Sequence, residues 1–325
     1  MLFYAPGCSH VNQFPFVTCA SQTSHYTIIH VKLLPVLISC GEPQMPKEKV
    51  VVTGASGIIA GVLLPALRER YDLTLLDTRA HNRDGEEVEG VEIVDLLDRD
   101  RDRYRHFFSG ADAVVHCAYY RIHDQGDDVY FASELENLQL TYNVYQVAWE
   151  ERLRRVVAAS TNHAADFYEN YALDGAAPMV TPDQNASDNW YGWGKIAFEQ
   201  IGQVFASGVT HGGRPLENVQ IRIGGPRETD VAAAPLGDLR RMRRALAVYI
   251  SQRDMAQLFI KSIETADIRD ALGVPFQIFY GISANPHAIW SIANARGVIG
   301  YAPQDNSEER FSDLIQAHMK AAGVS

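Results

Sequence analysis

At 325 residues and 46% hydrophobic, the chain is long enough to bury a large core, as one large domain or one domain with a smaller companion. Its formal net charge of -11 argues against general affinity for nucleic acid or an anionic membrane, because both call for a positive surface. A small-molecule substrate is the class that remains.

The first 44 residues differ from the rest: Lys32 and Glu42 are their only Lys, Arg, Asp or Glu side chains. The apolar run "HYTIIHVKLLPVLISC" is interrupted by Lys32 and Pro35, short of the roughly 20 apolar residues a membrane span needs. No basic region precedes it as in a signal peptide. Because Met45 opens "MPKEKVVVTGASG", residues 1–44 are expected to be a disordered extension or the product of an upstream start, ahead of a domain at 45–325. Cys8, Cys19 and Cys40 fall in the extension and Cys117 beyond it, with neither disulfide-framework nor metal spacing, so a reducing, cytoplasmic setting is expected.

From Lys47 onward short Val- and Ile-rich runs alternate with helical patterns. "KVVVTG" is followed by "GIIAGVLLPALRER", and "LTLLD" by a charged turn and "VEIVDL". "ADAVVHCA" precedes the long helix "LENLQLTYNVYQVAWEE", then come the strand "RRVVAAS", the helix "YGWGKIAFEQIGQVFA" and the strand "NVQIRI". This alternation predicts an α/β fold, a doubly wound parallel sheet of Rossmann type, with a nucleotide-binding core over about 47–223. A basic helix ("GDLRRMRRALAVYI"), a strand ("FQIFYG") and C-terminal helices then form a smaller substrate-binding region over about 224–325.

In the first turn, Gly54 and Gly57 allow backbone amides to approach a pyrophosphate, with Ser56 and Ile58 lining the turn at the positive end of the helix. Asp77 ends the second strand, where an acidic residue binds the adenosine ribose hydroxyls of NAD and repels the 2'-phosphate of NADP. Arg79 leaves room for dual cofactor use. Asp95 and Leu96 after the third strand are assigned to the adenine, and Cys117 and Ala118 after the fourth to close approach of ribose and phosphates.

Tyr191 and Lys195 are four apart in "DNWYGWGK" and share a helix face, so an ammonium would favour the phenolate of a tyrosine otherwise too weakly acidic to act as base. Lys195 is also assigned to the nicotinamide ribose. One strand earlier, "VVAASTNH" delivers Ser160, Thr161, Asn162 and His163 at a strand end, where a hydroxyl can orient the substrate.

Turn, acidic residue, strand-end Ser/Thr and Tyr-x-x-x-Lys in this order resemble the short-chain dehydrogenase/reductase superfamily over nearly all of Lys47 to Ile223. The T-G-x-x-G-x-x-A spacing and "RIGGP" resemble its extended, NAD-dependent epimerase/dehydratase branch. Within that branch "STNHA", "YGISAN" and "IGYAPQDNSEERF" are most similar to the uronate dehydrogenase group. The resemblance implies Tyr191 as general base, Lys195 as its partner and ribose ligand, Thr161 as the orienting hydroxyl, and Ser160 near the cofactor. It implies that Asn162 and His163 hold sugar hydroxyls, that Asn137 supports a water path to the lysine, and that Arg244 binds a substrate carboxylate. Two positions depart from the group: Gly225 stands where it has a serine, and Arg121 where it has a small hydroxyl residue. A phosphorylated, differently acidic or larger substrate fits those changes.

The resulting expectation is oxidation of a sugar hydroxyl, the anomeric one of an acidic aldose, to a lactone with hydride transfer to NAD and no metal. An alternative keeps fold and base but returns the hydride, as a nucleotide-sugar epimerase or dehydratase does; a third reading is a non-catalytic NAD-sensing regulator. Homodimers or higher homo-oligomers, paired through the Leu135–Glu150 and Tyr191–Ala206 helices, are implied by the resemblance.

Overall fold

The computed structural model describes residues 47–122, 124–176 and 179–324, so the expected extension at 1–44 lies outside the described residues. Val50, Val51 and Val52 in β1 (Lys49–Thr53) are completely buried. A strand apolar at successive positions has both faces covered, as in a parallel sheet sandwiched between helices. The remaining strands are β2 (Asp72–Asp77), β3 (Val91–Ile93), β4 (Ala113–His116), β5 (Arg155–Thr161), β6 (Glu217–Ile223) and β7 (Phe276–Gly281). They form one seven-stranded sheet in the order β3-β2-β1-β4-β5-β6-β7, with all neighbours parallel. The doubly wound sheet expected from the alternation is the one present.

The helices are α1 (Ile58–Arg70), α2 (Asp127–Glu150), α3 (Asp166–Leu173), α4 (Trp190–Ser207), α5 (Glu228–Ala232), α6 (Leu239–Val248), α7 (Gln252–Glu264), α8 (Ala293–Ile299), α9 (Ser307–Arg310) and α10 (Ser312–Ala321). Val50 and Val52 pack with Leu63 and Leu67 of α1 and Leu258 and Phe259 of α7 on one face. Val51 packs with Val144 and Tyr145 of α2 and Phe198 and Phe205 of α4 on the other. None of the described helices is long and apolar enough to cross a membrane.

Two elements differ from the sequence reading. Only Val91–Ile93 of "VEIVDL" forms a strand, because β3 is an edge that pairs with β2 alone over three residues. The long helix α2 begins at Asp127, eight residues before the expected Leu135, behind Gly126 at φ +133°, with Asp127 and Asp128 complementing its dipole.

The sequence of strands turns back between β1 and β4, the switch point at which ligands of such sheets bind beyond the carboxyl strand ends. Thr53 pairs with His116 and His116 with Ala158, while Ala159, Ser160 and Thr161 run on to pair with β6. β5 therefore carries Thr161 beyond the crevice floor. Over that edge, Ala165 and Leu173 pack with Val248, Tyr280 and Trp290, which fastens the segments after β6 to α3.

Candidate active site

Gly54 adopts φ +70°, and a Cβ there would lie 2.6 Å from the backbone of Ala118. Only glycine lets the β1 exit and the β4 exit meet this closely. The amides of Gly54 and Ala55 donate to Leu76 O at 2.8 and 3.2 Å, so the turn is shaped by β2. Beyond Gly57, no side chain caps α1 and no acidic residue occupies its first turn, which leaves the amides from Ile58 onward open to an anion.

Asp77 Oδ2 accepts from Ser56 N at 3.0 Å, fixing its carboxylate beside the turn with lone pairs left for ribose hydroxyls. Ser56, assigned to the cofactor turn from sequence, commits its hydroxyl to Arg79 O at 2.7 Å. Asp95 is exposed and accepts from Leu97 N at 2.9 Å, while Leu96 is buried in the core with its carbonyl bonded to Asn143. Cys117 is a thiol with its pKa pushed up to about 12 by burial. The glycine cradle, uncapped helix, strand-end acid and small Cys117–Ala118 wall fit a dinucleotide.

At the end of β5, Thr161 caps a 3-10 turn over Asn162–Ala165, its Oγ1 accepting from His163 N at 3.3 Å. His163 Nδ1 meets Asp166 Oδ2 at 2.7 Å. A carboxylate only accepts, so Nδ1 carries the proton and Nε2 of the neutral ring is left as an acceptor. The same Asp166 oxygen accepts from Asn189 Nδ2 at 2.8 Å, and Asn189 Oδ1 caps α4 through Gly192 N at 2.9 Å. The Asn162 Nδ2 is buried without a partner among the described residues.

This bracing sets Tyr191 edge-on to His163 at 5.6 Å between ring centroids and to Tyr119 at 5.5 Å. Burial raises the Tyr191 pKa, a hydrogen bond with Thr161 lowers it, Glu134 raises it, and Arg121 lowers it. Lys195, expected to favour the phenolate, is held elsewhere by its hydrogen bond. Its Nζ instead donates to Ala159 O at 2.8 Å and lies 4.3 Å over the Phe198 ring. Burial lowers the Lys195 pKa to about 8 against the raising effects of Glu134, Cys117 and Glu199.

Two further assigned side chains are engaged elsewhere. Asn137 clamps the loop after β4, accepting from Tyr120 N at 2.7 Å and donating to Tyr120 O at 2.8 Å and Ser133 O at 2.9 Å. Both amide hydrogens are committed, so its side chain cannot donate to a water path. Ser160 donates to Glu199 Oε1 at 2.6 Å, and the same carboxylate meets the fully buried Arg222 through bonds of 2.9 and 2.8 Å.

Arg244 is not the open fork expected. Its Nε and Nη2 donate to Glu169 Oε1 at 2.6 Å and Oε2 at 3.1 Å. Gly225 commits its N–H to Val248 O at 2.7 Å and its carbonyl to Ile250 N at 3.1 Å. Arg121 is exposed and acts electrostatically on Tyr191, Tyr119 and Glu134.

The sequence reading missed Tyr119, Glu134, Asp166, Glu169 and Glu199. Glu199 was signalled by its spacing, since Tyr191, Lys195 and Glu199 recur every four residues along α4. Asp166 stood three residues after His163. Glu134 is buried deep in α2, where a Cβ on Gly194 would lie 2.2 Å from its Oε2, and only the α2–α4 packing reveals it.

The sequence pattern of the NAD dependent epimerase/dehydratase family matches residues 50–211. The chain is 32% identical over 269 residues to the L-arabinose 1-dehydrogenase (NAD(P)(+)) of Haloferax volcanii, covering 80% of this chain and 97% of that protein. It is 28% identical over 274 residues to the NAD-dependent glucose-6-phosphate dehydrogenase of the same organism, covering 81% and 95%. Among solved structures, a mutated uronate dehydrogenase superposes with a TM-score of 0.62 at 23% identity, covering 83% of this chain and 86% of that one.

Proposed function

Because this chain belongs to the NAD dependent epimerase/dehydratase family and is an NAD-dependent dehydrogenase, we propose that it oxidises the anomeric hydroxyl of an aldose or aldose derivative to a lactone. The observation that carries this reading is Tyr191 beside Thr161 and His163 at the sheet edge where the Gly54 turn opens. Named sugar dehydrogenases among its relatives support the substrate class.

Tyr191, as phenolate, accepts the C1 hydroxyl proton at Oη, and Thr161 orients that hydroxyl toward it. The buried Asn162 amide supplies a donor to a sugar hydroxyl, and His163 Nε2 an acceptor. Asp166 keeps the histidine in the tautomer that can accept. Bound NAD supplies the two-electron acceptor. Asp77 and the first turn of α1 would hold its adenosine and pyrophosphate, and Lys195 its second ribose. Arg121 favours the phenolate from across the loop, a service general bases with high intrinsic pKa require near neutral pH. The segments after β6 complete the sugar pocket.

A homodimer through α2 and α4 belongs to the same reading, supported by Tyr142 and Val204 exposed on their outer faces. A cytoplasmic location rests on the sparse cysteines.

The test is net NADH formation by purified protein with NAD against neutral aldoses, uronates and aldose phosphates, with the product identified by NMR. Accumulation of NADH with a lactone from at least one sugar is expected. NAD binding with no net NADH from any of them, together with interconversion of a nucleotide sugar, would replace this reading with an epimerase.

A further inference from the structure

We propose that Glu169 makes the site selective for uncharged sugars by filling the guanidinium fork that would otherwise hold a substrate carboxylate. The inference rests on the sugar-oxidation reading above.

A guanidinium offers a carboxylate one well-matched pair of parallel donors on each edge. The Nε–Nη2 edge of Arg244 is taken by both oxygens of Glu169, at 2.6 and 3.1 Å. The Glu169 side chain is 11% exposed and that of Arg244 34%, so the acid is the more deeply held of the two. The pair borders the reaction centre, because Glu169 stands one turn along α3 from Asp166, which holds His163 against Tyr191.

Asp166 adds to this hold, because it is close enough to Arg244 to raise the guanidinium pKa electrostatically alongside Glu169. Gly225, against Val248 at the end of α6, has no side chain to donate, and its backbone groups are already bonded. Arg121, exposed on the β4–α2 loop, acts electrostatically on Tyr191, Tyr119 and Glu134.

Galactose and galacturonate differ only at C6, so the ratio of their kcat/KM values reads the carboxylate alone. The intact protein should favour galactose. In Glu169→Gln the galacturonate-to-galactose ratio should rise about tenfold to a hundredfold, carried by KM, as expected when the freed guanidinium forms one new charge-assisted hydrogen-bonded pair with the substrate. Glu169→Asp should keep the original ratio, and adding Arg244→Gln to Glu169→Gln should cancel the rise. An unchanged ratio in Glu169→Gln, or an intact protein that prefers galacturonate, overturns the proposal. Should the Gln variant not fold, Glu169→Met fills similar volume without charge, with the same expected and contrary results. If neither sugar reduces NAD, sugar oxidation itself has failed, and the thermal shift caused by galacturonate decides the selectivity claim. A larger shift in Glu169→Gln than in the intact protein supports it, and equal shifts overturn it.

Discussion

Spacing put Tyr191 and Lys195 on one face of α4, but it could not say where Nζ would point. In the folded chain that question is decided by burial: Nζ takes the Ala159 carbonyl, the polar acceptor within reach beneath the aromatic rings of Tyr119 and Phe198. Desolvation then disfavours the charged form and lowers the pKa from 10.5 to about 8. The sign of the consequence follows from linkage. Between pH 8 and 10.5 the folded lysine has released its proton while the unfolded one still holds it, so its contribution to stability rises with pH in that window. Below pH 8 both forms are protonated and the cost is present in full. Buried tyrosines such as Tyr145, raised by burial, act oppositely as pH passes the ordinary tyrosine range. The lysine is therefore isolated by subtraction. Denaturant titrations of the intact protein and Lys195→Met should give a stability difference that shifts in favour of the intact protein by on the order of 3 kcal/mol from pH 8 to 10.5. A flat difference would mean that Lys195 is not a buried cation. Glu169 was illegible for a different reason: its partner Arg244 is 75 residues away, and such pairing is a property of packing.

At the scale of elements, strands and long helices were readable because their apolar positions repeat with the periods of buried structure. The short helix α3 was not. Its Phe167 and Tyr171 are 50% and 51% exposed, so aromatic residues on the outer face scramble the apolar stripe that marks a helix. Yet α3 carries Asp166 and Glu169, the acids that hold His163 and Arg244. Asn189 couples it to α4 by capping Gly192 N with one amide atom and holding Asp166 with the other. Asn189→Ala should cost about 1 kcal/mol in stability from the lost cap and lower kcat/KM by loosening His163. Asn189→Ser, which restores a capping oxygen but no amide, should recover the stability and not the activity. Recovery of both, measured by denaturant midpoint and steady-state kinetics, would mean that the contact with Asp166 does not position the histidine.

For the whole molecule, the order β3-β2-β1-β4-β5-β6-β7 brings together groups that sequence keeps far apart: the Gly54 turn, the Thr161 turn and the Tyr191 helix. Alternating strands and helices dictate such a sheet, and its switch point dictates where a ligand sits. That much is legible in the sequence. The wall built after β6 was not, because Val248, Tyr280 and Trp290 meet α3 through contacts between distant segments. The proposed oxidation rests on one step that involves all these parts: a hydrogen leaves C1 of a sugar for NAD while Tyr191 takes the hydroxyl proton. The most direct measurement uses an aldose oxidised by the protein, deuterated at C1, with mass analysis of the nicotinamide product. Deuterium should appear in the reduced nicotinamide, and Tyr191→Phe should still bind NAD but transfer none. Deuterium retained on the sugar product, or transferred as fast by Tyr191→Phe, would contradict the account.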